Sequence, residues 1–191
     1  MPSVGQVEIR TQKRVLQLLQ DKLGYDYLGD WADEPDNRNI EVEYLQKWLE
    51  GQGIEAQLIT RAISELDKAS SDASKSLYDR NKAVYDLLRY GVKIKPGHGE
   101  NTVTIWLIDW QHWDKNHFAV AEEVTVKGAD AKAATKRPDI VIYVNGIALG
   151  VIELKRSSVS VLEGVYQNLD NQKKEFIQPF FTTQQWLMAG N

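Results

Sequence analysis

The segment from Arg137 to Arg156, RPDIVIYVNGIALGVIELKR, constrains the fold of this chain more than any other. Two runs of almost continuous aliphatic and β-branched residues flank Asn145-Gly146, a dipeptide that favours a tight hairpin turn. Strands that are apolar on both faces belong in the interior of a sheet, with other layers packed on each side. The segment therefore predicts a central hairpin that is buried on both faces.

The rest of the chain adds helices before this hairpin and strands around it. We expect a loop over residues 25–39, with Asn39 capping the second helix. From Val92 onward, short β-branched and aromatic runs predict a β-meander, then a helix from Val161 to about Glu175 and a last strand in the tail. Apolar residues at helical spacing predict four earlier helices, namely Val4 to Gly24, Val42 to Gly51, Glu55 to Ala69 and Leu77 to Tyr90.

This order of elements predicts an α/β (α+β) fold with a mixed central sheet flanked by helices. The 191 residues correspond to about one domain, so we expect a single unit over 1–191. Within it, residues 1–91 are mainly helical and residues 92–191 are rich in strands. The six tryptophans fall mostly on apolar periodic faces, which predicts that they pack in the core.

Composition excludes several classes of site. The chain has no cysteine, which rules out disulfides, thiolate metal sites and a cysteine nucleophile. No apolar run is long enough to cross a membrane, and the N-terminus does not resemble a signal peptide, so we expect a cytoplasmic protein without a membrane partner. The net charge is −4, so any contact with DNA requires a local basic patch.

Three ionisable residues interrupt the apolar hairpin: Asp139 on its first strand, and Glu153 and Lys155 on its second. Glu153 and Lys155 are two residues apart and share a face, whereas Leu154 points into the core. Charges at the ends of buried strands are costly unless they are paired or bind a metal. The group is therefore either a structural ion pair or a Mg²⁺ site, since carboxylates suit this hard cation.

The register of the hairpin decides whether the two carboxylates can share a metal. A two-residue turn at Asn145-Gly146 without a bulge places Asp139 opposite Ile152, so that Glu153 points to the other face. A three-residue loop that includes Val144, or a β-bulge on either strand, returns both carboxylates to one face. A metal site thus predicts one of these two irregularities.

The segment with its two acids and lysine resembles the nuclease motif of the PD-(D/E)xK superfamily, and more narrowly the N-terminal domain of the R subunit of type I restriction-modification enzymes. The resemblance implies that Asp139 and Glu153 are Mg²⁺ ligands, that the carbonyl of Leu154 is a further ligand and that Lys155 is catalytic. It covers nearly the whole chain, through LGYDYLGDW, SLYDRNKAVYDLLRYGVKI, NTVTIWLIDW, FAVAEEVTV, VYQNLDNQKKEF and FFTTQQWLMAGN.

The family also carries a Gln-x-x-x-Tyr motif on the following helix. Gln167 matches its glutamine and is the fourth catalytic residue that the resemblance implies, but Asn171 stands where the family has tyrosine. Either Glu122 or Glu123 faces the site by strand alternation and is an additional candidate ligand. The expected phosphate contacts come from the basic residues near the motif: Lys136, Arg137, Arg156, Lys173 and Lys174.

The resemblance implies cleavage of double-stranded DNA away from the recognition site, in a complex with methyltransferase and specificity subunits. It also implies that ATP is used only by translocase domains, which this chain lacks, so we expect an isolated nuclease domain or a truncated product. The sequence has no phosphate-binding loop for ATP. Two other hypotheses stay open: a stand-alone PD-(D/E)xK repair nuclease, and a non-catalytic module that docks DNA or other subunits.

Overall fold

The computed structural model describes residues 4–34, 36–128 and 133–191, with side chains from residue 9 onward. The helices are α1 (Val4–Leu23), α2 (Val42–Gly51), α3 (Ala56–Ser71), α4 (Leu77–Tyr90) and α5 (Val161–Asn171). The strands are β1 (Asp26–Asp30), β2 (Val92–Ile94), β3 (Val103–Ile105), β4 (Phe118–Glu122), β5 (Ile140–Val144), β6 (Ile147–Leu154) and β7 (Trp186–Gly190). Short 3-10 helices lie at Trp113–Lys115 and Gln178–Thr182.

A five-stranded mixed sheet has the predicted hairpin at its centre. Its strand order is β1-β4-β5-β6-β7. The three middle strands are antiparallel, whereas β1 runs parallel to β4 and β7 runs parallel to β6. Every residue of β5 and β6 is buried, as the near-continuous apolar runs predicted. The expected α/β fold with a mixed central sheet flanked by helices is confirmed.

The turn of the central hairpin has two residues, so the predicted alternative of a three-residue loop is wrong. Val144 pairs with Ile147, and the φ angles of Asn145 and Gly146 are 52° and 81°. Both positive angles are what a type I′ turn requires. A Cβ on Gly146 would lie 2.7 Å from the carbonyl oxygen of Glu41, so the chain leading into α2 leaves room only for glycine.

A β-bulge in β6 supplies the irregularity that a shared site needs. Ala148 and Gly150 pair with consecutive residues of β5, so Leu149 is an extra residue without an opposite partner. Continuing this register past the start of β5 brings Asp139 directly opposite Glu153. Directly opposed residues share a face of the sheet, so the bulge alternative is confirmed.

Different layers cover the two faces of the sheet. On one face, Leu16 and Leu19 of α1 pack against a cluster that includes Leu154, which points into the core as predicted. On the other face, Phe180 and Phe181 of the second 3-10 helix pack against β4, β5 and β6. Helices α2, α3 and α4 form a third cluster with β2 and β3 near the hairpin turn. No described helix has the length and hydrophobicity needed to span a membrane.

Some local predictions are wrong because long-range contacts decide them. Residues 26–30, expected to lie in a loop, form the edge strand β1, whose backbone partners come from distant β4. Asn39 does not cap α2, because its Nδ2 donates to the carbonyl oxygen of Pro179 and to Oγ1 of Thr182. The expected meander is incomplete, since β2 and β3 form a separate two-stranded sheet. Helix α5 ends at Asn171, before the expected Glu175.

Candidate active site

The two acids and the lysine lie at the end of the hairpin that is remote from its turn. The backbone N–H of Leu154 donates to Oδ2 of Asp139 at 2.6 Å, and the N–H of Lys155 donates to the carbonyl oxygen of Gly190 at 2.8 Å. The N–H and C=O of one strand residue point to the same side of the strand. The carbonyl of Leu154 therefore faces Asp139, and the backbone of Lys155 is held by β7.

Glu153 is the most buried ionisable group of the site. Its side chain is completely inaccessible to solvent. Gln167 of α5 donates from Nε2 to Oε2 of Glu153 at 2.7 Å, which fixes one carboxylate oxygen. The other oxygen, Oε1, is buried and accepts no hydrogen bond, and the carboxyl of Asp139 is the acidic neighbour of the Glu153 side chain. An unsatisfied buried acceptor is costly and indicates that this oxygen serves a purpose other than folding.

The environment of Glu153 strongly disfavours its charged form. Burial, the largest cause, and the negative charge of Asp139 together raise the pKa of the Glu153 carboxyl from 4.5 to about 9. The nearby positive charge of Lys155 acts in the opposite direction and lowers this pKa. Glu153 therefore holds a proton at neutral pH unless a cation compensates for its charge.

The donor atoms of the site fit a hard divalent cation. Asp139, Glu153 and the carbonyl of Leu154 provide only oxygen ligands, which Mg²⁺ prefers. Among the residues with described side chains, no three or more carboxylate, imidazole or thiol groups lie close enough together to hold a metal. Mg²⁺ usually binds through one or two carboxylates and keeps several waters, so two acids are sufficient for this ion.

Of the two glutamates at the end of β4, Glu123 lies on the side of the site. Its N–H donates to the carbonyl oxygen of Asp139 at 2.9 Å, and its own negative charge adds slightly to the raised pKa of Glu153. Glu122 points toward α1, where it accepts hydrogen bonds from Gln12 and from the hydroxyl of Tyr27. The two neighbouring glutamates thus point to opposite faces of the sheet, as strand alternation predicted. A ligand role for Glu123 stays a prediction.

The helix that follows the hairpin contributes one side chain to the site. Gln167 reaches Glu153, as described above, whereas Asn171 lies one turn later at the end of α5. Asn171 is buried, and neither atom of its amide has a hydrogen-bond partner. Of the expected Gln-x-x-x-Tyr pair, the glutamine is therefore connected to Glu153, while the asparagine that replaces the tyrosine lacks a described polar contact.

Two of the segments that carry the expected phosphate contacts touch each other. The N–H of Ala134 donates to the carbonyl oxygen of Glu175 at 2.9 Å, and the ammonium of Lys136 lies 4.0 Å from the ring centroid of Phe176. These contacts join the chain that leads into Asp139 to the chain that follows α5. The five expected phosphate contacts are exposed or half-buried: Lys136, Arg137, Arg156, Lys173 and Lys174.

Two of these basic residues already have acidic partners. Nε of Arg137 lies 2.7 Å from a carboxylate oxygen of Glu123, and Nζ of Lys173 lies 2.6 Å from Asp170. Surface ion pairs of this kind contribute little to stability. Their role as phosphate contacts stays a prediction.

Comparison with known proteins places the chain in a family. It is 30% identical over 108 residues to the type I restriction enzyme HindI endonuclease subunit of Haemophilus influenzae, an alignment that covers 54% of this chain and 10% of the relative. It is 30% identical over 91 residues to the SsaAORF53P endonuclease subunit of Staphylococcus saprophyticus, covering 48% of this chain and 9% of the relative. The aligned region thus spans a tenth or less of these relatives.

The match to a family model is more extensive than these pairwise alignments. The model described as "Type I restriction enzyme R protein N terminus" matches residues 6–191. The mixed five-stranded sheet with its flanking helices is consistent with a PD-(D/E)xK-like nuclease fold. Because the match covers nearly the whole chain, this protein belongs to the family of type I restriction enzyme R protein N-terminal regions.

Proposed function

We propose that this chain is the Mg²⁺-dependent endodeoxyribonuclease domain of a type I restriction enzyme R subunit and makes double-strand breaks away from the recognition site. The observation that carries the proposal is the unpartnered Oε1 of buried Glu153, on the face that Asp139 shares. Family membership supports the R subunit, and the relatives' description as endonuclease subunits supports the reaction. In this proposal residues 1–191 act as one domain.

Each residue of the site has a distinct part in the proposed reaction. Asp139, Glu153 and the carbonyl of Leu154 would hold the ion. When bound, Mg²⁺ supplies a Lewis acid for the scissile phosphate. The ammonium of Lys155 orients the attacking water and offsets the negative charge that develops on phosphorus. Gln167 keeps the carboxylate of Glu153 in place.

Double-stranded DNA is the proposed substrate, with the basic residues named above contacting its phosphates. The other partners belong to the whole subunit. We propose that ATP-driven translocase domains of the R subunit, together with methyltransferase and specificity subunits, deliver the DNA. The cutting residues are those of this chain, whereas sequence recognition is contributed by the rest of the complex.

Calorimetric titration of Mg²⁺ tests the proposal directly. We expect Mg²⁺ to bind the wild type, more tightly with a short DNA duplex present, and not to bind the Asp139→Ala/Glu153→Ala double variant. Glu122→Gln is the matched control, because it removes an acid at the same end of the sheet but on the opposite face. Binding that survives in the double variant contradicts the proposed site, and a wild type that binds no Mg²⁺ favours the docking module.

Gln167→Ala tests whether the hydrogen bond from α5 positions the carboxylate. We expect Mg²⁺ affinity to fall by about 10- to 100-fold, the usual effect of removing a group that orients a metal ligand. The exposed neighbour Leu169→Ala is the control on the same helix. Unchanged affinity in Gln167→Ala, with the fold intact by circular dichroism, would show that Glu153 is held in place without it.

A further inference from the structure

Three tryptophans on the segment after β3 contradict the prediction that tryptophans pack in the core. Trp106, Trp110 and Trp113 are 48%, 51% and 72% exposed. Tryptophan is one of the most buried residue types on average, and clustered exposed apolar side chains mark binding surfaces. The proposed nuclease site does not use any of the three.

Two of these rings line a cavity of about 530 Å³ together with Trp48 of α2. The volume lies in the range of roughly 300–1,000 Å³ that is typical of small-ligand sites. The loop that forms the cavity is bonded to the hairpin turn, through Asn145. Asn145 lies six residues along the strand from Asp139, so at about 3.3 Å per residue the hairpin turn to which this loop is bonded is roughly 20 Å from Asp139.

Hydrogen bonds hold two of the three tryptophan rings of the cavity in place. Nε1 of Trp110 donates to the carbonyl oxygen of Leu88 at 2.8 Å, and Nε1 of Trp48 donates to that of Lys115 at 2.9 Å. Buried Asn145 donates to Oδ1 of Asn116, which itself holds the segment 109–116 through its amide. A ligand that enters this site therefore finds rings that are already positioned, which reduces the entropy lost on binding.

Two charged groups beside the cavity already have partners within the chain. The carboxylate of Asp109 already accepts hydrogen bonds from the N–H groups of Gln111 and His112 at 3.0 and 2.9 Å. The guanidinium of Arg89 lies 5.6 Å from the ring centroid of Trp110, so the chain itself supplies the cation for this ring. A neutral planar ring is the better match for the aromatic walls.

Polar groups in the lining specify the ligand further. The amides of Gln52 and Gln111 can donate to and accept from the edge of a heterocycle, and the ammonium of Lys115 can contact an anionic group attached to it. Proteins bind unstacked nucleobases in this way, with stacking on aromatic rings and hydrogen bonds to the base edge. We propose that this cavity binds an unstacked nucleobase and its phosphate, with the base stacked on Trp106.

The base could belong to a single strand of nucleic acid or to a free nucleotide, and fluorescence anisotropy distinguishes them. The probe is a labelled oligodeoxythymidylate of about ten nucleotides, within the usual size of single-strand sites. Unlabelled deoxyadenosine 5′-monophosphate and a duplex of the same length are the competitors, and all titrations contain EDTA, so that the result does not depend on the Mg²⁺ site. Displacement by the mononucleotide assigns the site to free nucleotides, and resistance to it assigns the site to single strands.

Substitutions locate the binding within the cavity. We expect Trp106→Ala to weaken binding at least about fivefold, the lower end of the effect of losing one stacked base, and Trp106→Phe to weaken it less. Trp113→Ala is the matched control, because Trp113 is exposed but does not line the cavity. The absence of binding, equal affinities for the Trp106→Ala and Trp113→Ala variants, or a duplex that competes as well as the single strand would each overturn the proposal.

Discussion

The Glu153→Gln variant will be more stable than the wild type in EDTA at pH 8, and it will not bind Mg²⁺. In the wild type the pKa of Glu153 is 4.5 when unfolded and about 9 when folded, so folding takes up a proton between these values. The stability that this group contributes is complete below pH 4.5 and is lost as pH rises toward 9. Glutamine is neutral throughout, and its amide oxygen can still accept the hydrogen bond from Gln167.

The difference between the two proteins depends on pH, which separates this effect from simple repacking. The stability of the wild type should fall relative to the variant by at most about 1.4 kcal/mol per pH unit between pH 4.5 and 9. Urea unfolding at three pH values in EDTA measures this difference in the free energy of unfolding. The control variant is Glu163→Gln, at an exposed position of α5. Parallel pH profiles for the wild type and Glu153→Gln would contradict the raised pKa. Added Mg²⁺ should stabilise only proteins that retain Glu153.

Replacement of Lys155 and of Asp139 should abolish DNA cleavage by different routes. Lys155→Ala leaves both carboxylates in place, so we expect this variant to bind Mg²⁺. We nevertheless expect its cleavage rate to fall by at least about 100-fold, because it loses a charge that stabilises the transition state. Asp139→Asn should lose both cleavage and Mg²⁺ binding. Asparagine still accepts the hydrogen bond from the N–H of Leu154, so the fold should survive.

Plasmid cleavage in the presence of Mg²⁺ tests this second prediction, and calorimetry on the same samples measures Mg²⁺ binding. Lys174→Ala is the control for loss of one exposed positive charge near the site. Retained cleavage in either purified variant would contradict the proposed roles. If Lys155→Ala loses Mg²⁺ binding as well, the lysine supports the site structurally and has no separate part in the reaction.

The sequence predicted the central features of the fold because burial determines them. The apolar runs around Asn145-Gly146 required interior strands, and the spacing of Glu153 and Lys155 required a shared face. The position of the bulge was not predicted, although Gly150 beside Leu149 is an isolated strand glycine of the kind that often marks a bulge or a close approach. Strand β1 depends on β4, and the exposure of Trp106 depends on how the loop after β3 is held by Asn116 and Asn145.

The bulge at Leu149 makes the count of residues in β6 part of the chemistry. Deleting this one leucine would leave every acid, the lysine and the glutamine in the chain, yet it would turn Asp139 and Glu153 to opposite faces of the sheet. The loss of a single uncharged residue, four positions before Glu153, therefore separates the two carboxylates.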